Sequence, residues 1–227
     1  MAVISFVNPK GGAGKSTSCL ILGQELLRRG ERVSIIECDP LMWIDKWSDI
    51  NCEACENMTV SSILDPERLP AAVTTERREN DFVLIDTEGS KNLAVAQAIL
   101  MSNLVIIPIQ PSAMDSEAAS EAINLIRSQE LTIGRKIESV VLFNRTNAAI
   151  RTRSKRAIEE ELATASIPAL RTELVERSAF RELFSFGGDL ADLPQSEVNG
   201  VQKALTNSEQ YGTEVLSYIQ KVLINAS

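Results

Sequence analysis

Residues 8–18 read NPKGGAGKSTS and follow the apolar run AVISFV at 2–7. A strand, a glycine-rich turn and a helix opening on Lys-Ser is the order that a phosphate-binding loop requires. The usual pattern, G-x-x-x-x-G-K-[ST], puts its first glycine at position 9, where this chain has Pro9. Lys10 stands next to it, so one loop carries two lysines, Lys10 and Lys15. Gly11, Gly12 and Gly14 let backbone N–H groups approach phosphate oxygens without a side chain between them, and Ala13 lies in the same cradle. The helix starting near Ser16 adds the positive end of its dipole. In this pattern Lys15 is the candidate for the β- and γ-phosphates, Ser16 for Mg²⁺ and Thr17 for the α-phosphate. The bland alternative is a glycine-rich turn with a chance Lys-Ser, and the acids downstream weigh against it.

Short β-rich runs alternate with helical patterns on either side of this loop. The runs are 2–7, 32–38, 82–86, 104–109 and 139–144, with a weaker one at 167–172. Helical spacing covers 16–29, 92–101, 116–129, 152–165 and 208–223, and a further helix is expected from Pro66 to about Arg78. In 16–29, Cys19, Leu22, Leu26 and Arg29 share one stripe, and Gly30 supplies the stop. Near-continuous apolar strands separated by helices indicate a parallel sheet covered on both faces. With right-handed crossovers the fold class is α/β, doubly wound, with a mainly parallel sheet. A single domain over 1–227 is expected, with no N-terminal helix-turn-helix extension, since the loop begins near residue 8.

Two of the strands end in acids. FVLID ends at Asp86, placed to hold Mg²⁺ through water, and continues DTEG, whose Gly89 amide can sense a γ-phosphate. IIECDP ends the second strand with Glu37 and Asp39. A strand-end acid by itself is more often a helix cap or a solvated loop residue. Beside a phosphate loop it reads as a water- or metal-positioning group.

Composition narrows the chemistry. The chain has 227 residues, a hydrophobic share of 44% and a net charge of -8, which suits a globular core and excludes bulk electrostatic attraction to nucleic acid. It contains no histidine, which removes Ser-His and Cys-His nucleophile pairs and imidazole metal ligation. Acid–base work falls to Asp, Glu, Lys or water. Four cysteines are too few for a disulfide-built secreted scaffold, and the expected location is cytoplasmic.

KGGAGKST resembles the deviant Walker A loop of the ParA/MinD ATPases, ECDP their switch I, and LIDTEG their Walker B. VISFVNPKGGAGKST, SNLVIIPIQPSAMD and the tail after ALRT are similar to the ParF type of plasmid partition ATPase. The resemblance implies ATP and Mg²⁺ as cofactors and an ATP-sandwich homodimer in which Lys15 serves its own nucleotide and Lys10 the partner's. Position by position it assigns Lys10, Gly11, Gly12, Gly14, Lys15, Ser16 and Thr17 to phosphate and metal. It gives Asp39 the acid that orients the attacking water, with a second possible role at the metal, and gives Asp86 the Walker B role. Asn144 and Arg145 match the family's adenine-side pair, and Pro108 and Pro111 its proline-marked strand end. Glu37, Leu41 and the DTEG turn depart from the family pattern. The implied partners are nonspecific DNA and a centromere-binding protein of the ParB or ParG kind, with a nucleoid-associated location. Other cargoes, such as a DNA-transfer or protein complex, are the alternative; an iron–sulfur carrier or metabolic P-loop enzyme is a third.

Three further features have competing readings. Cys52 and Cys55 form a lone C-x-x-C, more simply two loop thiols than a cluster site. Trp43 and Trp47 stand four apart and share a helix face, for core packing or for a contact beside switch I. Arg151, Arg153, Lys155 and Arg156, with Arg145 before them, lie in a stretch without acids. That run is a solvated helix face or a surface for DNA phosphates. The C-terminal SYIQKVLINAS has one lysine, unlike a basic amphipathic membrane helix, so no membrane partner is expected.

Overall fold

The computed structural model describes residues 1–50, 57–147 and 153–225. Among them are seven strands: β1 (Ala2–Phe6), β2 (Val33–Glu37), β3 (Met58–Ser62), β4 (Phe82–Asp86), β5 (Leu104–Ile109), β6 (Ser139–Thr146) and β7 (Leu174–Val175). They lie in the order β3-β2-β4-β1-β5-β6-β7, and every pairing is parallel. The helices are α1 (Lys15–Arg28), α2 (Trp43–Ile50), α3 (Leu69–Glu79), α4 (Leu93–Met101), α5 (Ala113–Ile133), α6 (Arg153–Thr164), α7 (Ser178–Phe186) and α8 (Val201–Asn225).

The doubly wound α/β expectation is met, and strand burial shows why. Every residue of β1, β2, β4 and β5 is buried, so these strands have no solvent face. Alternate side chains divide between two cores. Ile4 and Phe6 pack with Leu22, Leu26, Trp47, Leu183 and Tyr211 under α1, α2, α7 and α8. Val3 and Val7 point the other way, toward the layer of α3 to α6. Burying a leucine completely, as at Leu22 and Leu26, stabilises the fold by about 1.5–3 kcal/mol. Arg29, at the end of the same stripe, turns outward to Glu25 and Thr213 and so ties α1 to α8.

Residues 167–172 are not a strand. Ala169 makes only an isolated bridge with Val141. The next amides, Arg171 and Thr172, donate to the two carboxylate oxygens of Glu214 on α8, at 2.8 and 2.7 Å. That carboxylate lifts the chain off the sheet, and pairing resumes at β7, where Leu174 lies opposite Asn144. β3 is an edge strand with a single buried residue, Met58, which is why MTVSS shows no apolar run. The helix of the 66–78 segment starts at Leu69, behind a short 3₁₀ turn at Pro66–Arg68 capped by Asp65.

Trp43 and Trp47 do not share an environment. Trp47 is fully buried and its Nε1 donates to the Gly188 carbonyl at 3.1 Å, whereas Trp43 is half exposed beneath the Lys46 ammonium. Cys52 and Cys55 lie outside the described residues; Cys19 and Cys38 are buried free thiols.

Candidate functional site

β1 lies between β4 and β5, so its C-terminal end is the switch point of the sheet, where open α/β folds bind ligands. The loop leaving β1 is pinned there from three sides. Asn8 Nδ2 donates to the Pro108 carbonyl at 2.7 Å, and Asn8 Oδ1 accepts from the Lys10 amide at 2.8 Å. Gln110 Nε2 donates to the Gly12 carbonyl at 2.8 Å. Asn144 Nδ2 donates to the carbonyls of Gly14 and Ala13, at 3.2 and 3.4 Å.

The N-terminus of α1 is left open. Gly14 is its N-cap, no side chain caps it, and no acid occupies its first turn. The amides of Lys15, Ser16 and Thr17 are therefore orphan donors beside the dipole's positive end, an anion site by construction. Gly14 has φ +94°, and a β-carbon there would lie 2.4 Å from Asn144 Nδ2. Gly14→Ala should strain the backbone and displace the brace at once. We expect at least a tenfold loss of nucleotide affinity, about 1.4 kcal/mol or more, in an ADP titration. Gly89 of the DTEG turn sits against the same loop, where a β-carbon would lie 2.8 Å from the Gly11 amide nitrogen.

The two lysines occupy different places. Lys15 is buried, and its Nζ donates to the Lys10 carbonyl at 3.2 Å. Burial lowers its pKa, while Asp86, Asp39 and Glu88 favour the charged form. Lys10 is held outside the loop, with its Nζ 2.8 Å from Asp115 Oδ2 on α5.

Four acids lie around the loop in different settings. Asp86 lies opposite both Phe6 and Glu37 in the sheet and is fully buried. Burial pushes its carboxyl up to about 7, although the Ser16 hydroxyl favours the ion. Neither Asp86 oxygen meets a donor in standard hydrogen-bond geometry. A buried carboxylate left open beside a serine hydroxyl is a hard oxygen donor set, and it fits Mg²⁺. Glu37 accepts from the amides of Ile44 and Asp45, at 3.0 and 2.8 Å, so both its oxygens hold the start of α2. Asp39 is half-buried, its Oδ1 accepts from the Leu41 amide at 2.9 Å, and its charge is felt by both Lys15 and Asp86. Glu88, passed over in the sequence, joins the charges around Lys15 and is tethered to Asn92 at the start of α4.

A cleft beside Gly14 and Thr17 is lined by Asn144 and Arg145 together with Leu174, Phe180 and Arg181. Arg145, exposed between the buried Asn144 and Thr146 at the end of β6, adopts a left-handed backbone, φ 50°. The Phe180 and Arg181 wall comes from α7, which sequence reading missed. Its Phe180, Leu183 and Phe184 at i, i+3 and i+4, with Gly187 behind them, were the available signal.

The basic stretch is only partly free. Lys155 is paired with Glu173, and its ammonium lies 5.5 Å from the Phe143 ring centroid. Arg156 is exposed, Arg153 opens α6, and Arg151 lies outside the described residues. Among the described residues no helix is long and apolar enough to cross a membrane.

Fold and loop together define a P-loop nucleotidase with an additional lysine ahead of its glycines. Residues 1–220 match the family of VirC1 proteins. The chain belongs to this family, and with it to the ParA/MinD class of P-loop ATPases. It is 31% identical to Protein ParA of Rhizobium radiobacter, over 98% of this chain and 100% of that one. It is 28% identical to the maintenance of carboxysome distribution protein A of Halothiobacillus neapolitanus, over 78% of this chain and 81% of that one. In fold it is similar to a putative plasmid partition protein of Borrelia burgdorferi solved with AMPPNP, with TM-score 0.66, 18% identity and coverage of 100% and 99%.

Proposed function

We propose that this ATPase closes around ATP and Mg²⁺ as a two-fold dimer, binds DNA without sequence preference and drives plasmid partition with a centromere-binding partner protein. The observation that carries the reading is the separation of the lysines. Lys15 is buried against its own loop, whereas the Lys10 ammonium is held outside it on α5. A cation so placed serves its own nucleotide poorly and a facing subunit's well. In that role it neutralises charge on the transferred phosphoryl group in trans, as an arginine finger does. Asp86 and Ser16 hold the Mg²⁺, which when bound offsets phosphate charge. Asp39 orients the attacking water, Gly89 reports the γ-phosphate, and Asn144 and Arg145 flank the base.

The face that carries the loop supports a dimer. Leu41, Trp43, Leu64, Leu93 and Met114 are between 50% and 72% exposed. They follow the C-terminal ends of β2, β3, β4 and β5, so they share the edge of the sheet that holds the site. Single exposed apolar residues are ordinary, but a row of them around a functional loop is the mark of a contact surface.

DNA binding in this reading uses Arg151, Arg153 and Arg156, doubled by dimerisation. Lys155 contributes less, because Glu173 neutralises it. Changing the three arginines to alanine should lower affinity for random-sequence duplex. It should also flatten the salt dependence, by about 0.9 in log–log slope for each phosphate no longer neutralised. The measurement is a salt titration of labelled duplex with a slowly hydrolysed ATP analogue. An unchanged slope moves the DNA surface elsewhere, with Arg177 and Arg181 next to be tested. The likeness to a carboxysome-distribution protein favours a second reading, the positioning of a protein cargo. Absence of DNA binding in every nucleotide state would decide for it.

A further inference from the structure

The partner that Lys10 has in the free subunit is placed for more than surface pairing. Asp115 stands in the first turn of α5 and is 1% exposed. Its Oδ2 accepts from Lys10 Nζ at 2.8 Å and from the Ser112 hydroxyl. Its Oδ1 is buried without a donor. Lys10 is fixed at its other end, where its amide donates to Asn8 Oδ1.

A local explanation is available and does not suffice. Ser112 is the N-cap of α5 and Asp115 stands three residues on, the spacing of a capping box. In a capping box the acid reaches back to the N-cap amide. Here the Ser112 amide donates to the Gln110 carbonyl instead, at 2.8 Å. The carboxylate is left for Lys10. Water has little access to Asp115, so a departing Lys10 is not readily replaced. The residue before it, Met114, is 72% exposed on the apolar edge described above. The ion pair therefore sits at the border of the surface that a second subunit covers.

We propose that Asp115 is a positioning residue for Lys10, holding its ammonium on its own subunit until a partner's nucleotide takes it. The proposal rests on the reading that Lys10 acts in trans. Each subunit gives up an ion pair to a buried carboxylate when Lys10 crosses, so ADP or an empty site leaves the pair closed. Only a triphosphate facing it from the partner offers enough negative charge to draw the lysine away. Asp115 thus sets the threshold for dimerisation without touching nucleotide.

The test is Asp115→Asn, with Lys10→Met and the double variant as controls. Asp115→Asn should lower the protein concentration for half-maximal dimer with an ATP analogue by about 100-fold, about tenfold for each of the two charge-assisted bonds that a dimer no longer has to break. Its apparent KM for ATP should fall with kcat retained, its ADP affinity should stay within about twofold, and Asp115→Glu should restore the original threshold. Lys10→Met should abolish the dimer with or without Asp115→Asn. An unchanged or raised threshold in Asp115→Asn, while Lys10→Met fails to dimerise, overturns the proposal and leaves the trans reading intact. Normal dimers in Lys10→Met overturn both. A second readout leaves Asp115 in place. Lys10→Met strands a buried carboxylate, so its nucleotide-free Tm should fall below that of the unmodified chain. Equal Tm values would show that the pair does no work in the free subunit and would overturn the proposal.

Discussion

Lys15→Ala should weaken nucleotide binding by about 100-fold or more, because a buried, charge-assisted bond to phosphate is removed. Lys10→Ala should bind ATP in the single subunit nearly as the unmodified chain does. The difference follows from position. Lys15 lies inside the loop, where Asp86, Asp39 and Glu88 favour its charged form, and in the proposed role the same charge offsets a bound triphosphate. Lys10 is held on α5 by Asp115 and leaves the interior of the loop to Lys15. Its removal should show in turnover, which we expect to drop by about 10³-fold, the lower end of what an in-trans cation supplies. Equilibrium titration with labelled ATP and a steady-state phosphate-release assay separate the two effects. Equal losses of affinity in both variants would place Lys10 at its own nucleotide.

Asp39→Ala should bind ATP and hydrolyse it about 10²-fold more slowly, the contribution of a group that orients a water without contacting the phosphates. The slow step should leave a long-lived ATP complex, visible as delayed ADP formation in single turnover. The neighbouring acid gives the contrast. Glu37 is fully buried, and both its oxygens accept from the amides that open α2. Glu37→Ala should therefore act on stability, with α2 and the Asp39–Leu41 turn loosened together. Normal turnover by Asp39→Ala would remove it from the reaction, and the tethered Glu88 would become the acid to test.

What was legible in the sequence was what depends on neighbours in the chain. The loop, the five strands β1, β2, β4, β5 and β6, and the strand-end acids all follow from local spacing, and the structure brings Gly14, Lys15, Ser16, Asp39 and Asp86 to one switch point. Elements whose form depends on distant groups were not legible. β7 starts late because Glu214 takes the amides of Arg171 and Thr172. β3 is an edge strand and needs no apolar run. Within the site, the tasks of the side chains were less visible than their membership. Nothing near Glu37 says that it holds a helix start rather than a water. Nothing near Lys155 announces Glu173, and the basic stretch is weaker as a surface than its composition implies. Lys10 and Asp115 are 105 residues apart, and only the crossing of β1 beside β5 brings them together.

The most direct test of the proposed nucleotide-switched dimer is the mass of the protein in solution by multi-angle light scattering. The unmodified chain and Lys10→Ala are each compared with ADP and with a slowly hydrolysed ATP analogue. The expected result is a doubling of mass for the unmodified chain with the ATP analogue alone, and a single-subunit mass in the other three samples. A single-subunit mass throughout, or a dimer that forms with ADP and survives Lys10→Ala, would contradict a lysine that joins two subunits through their nucleotides.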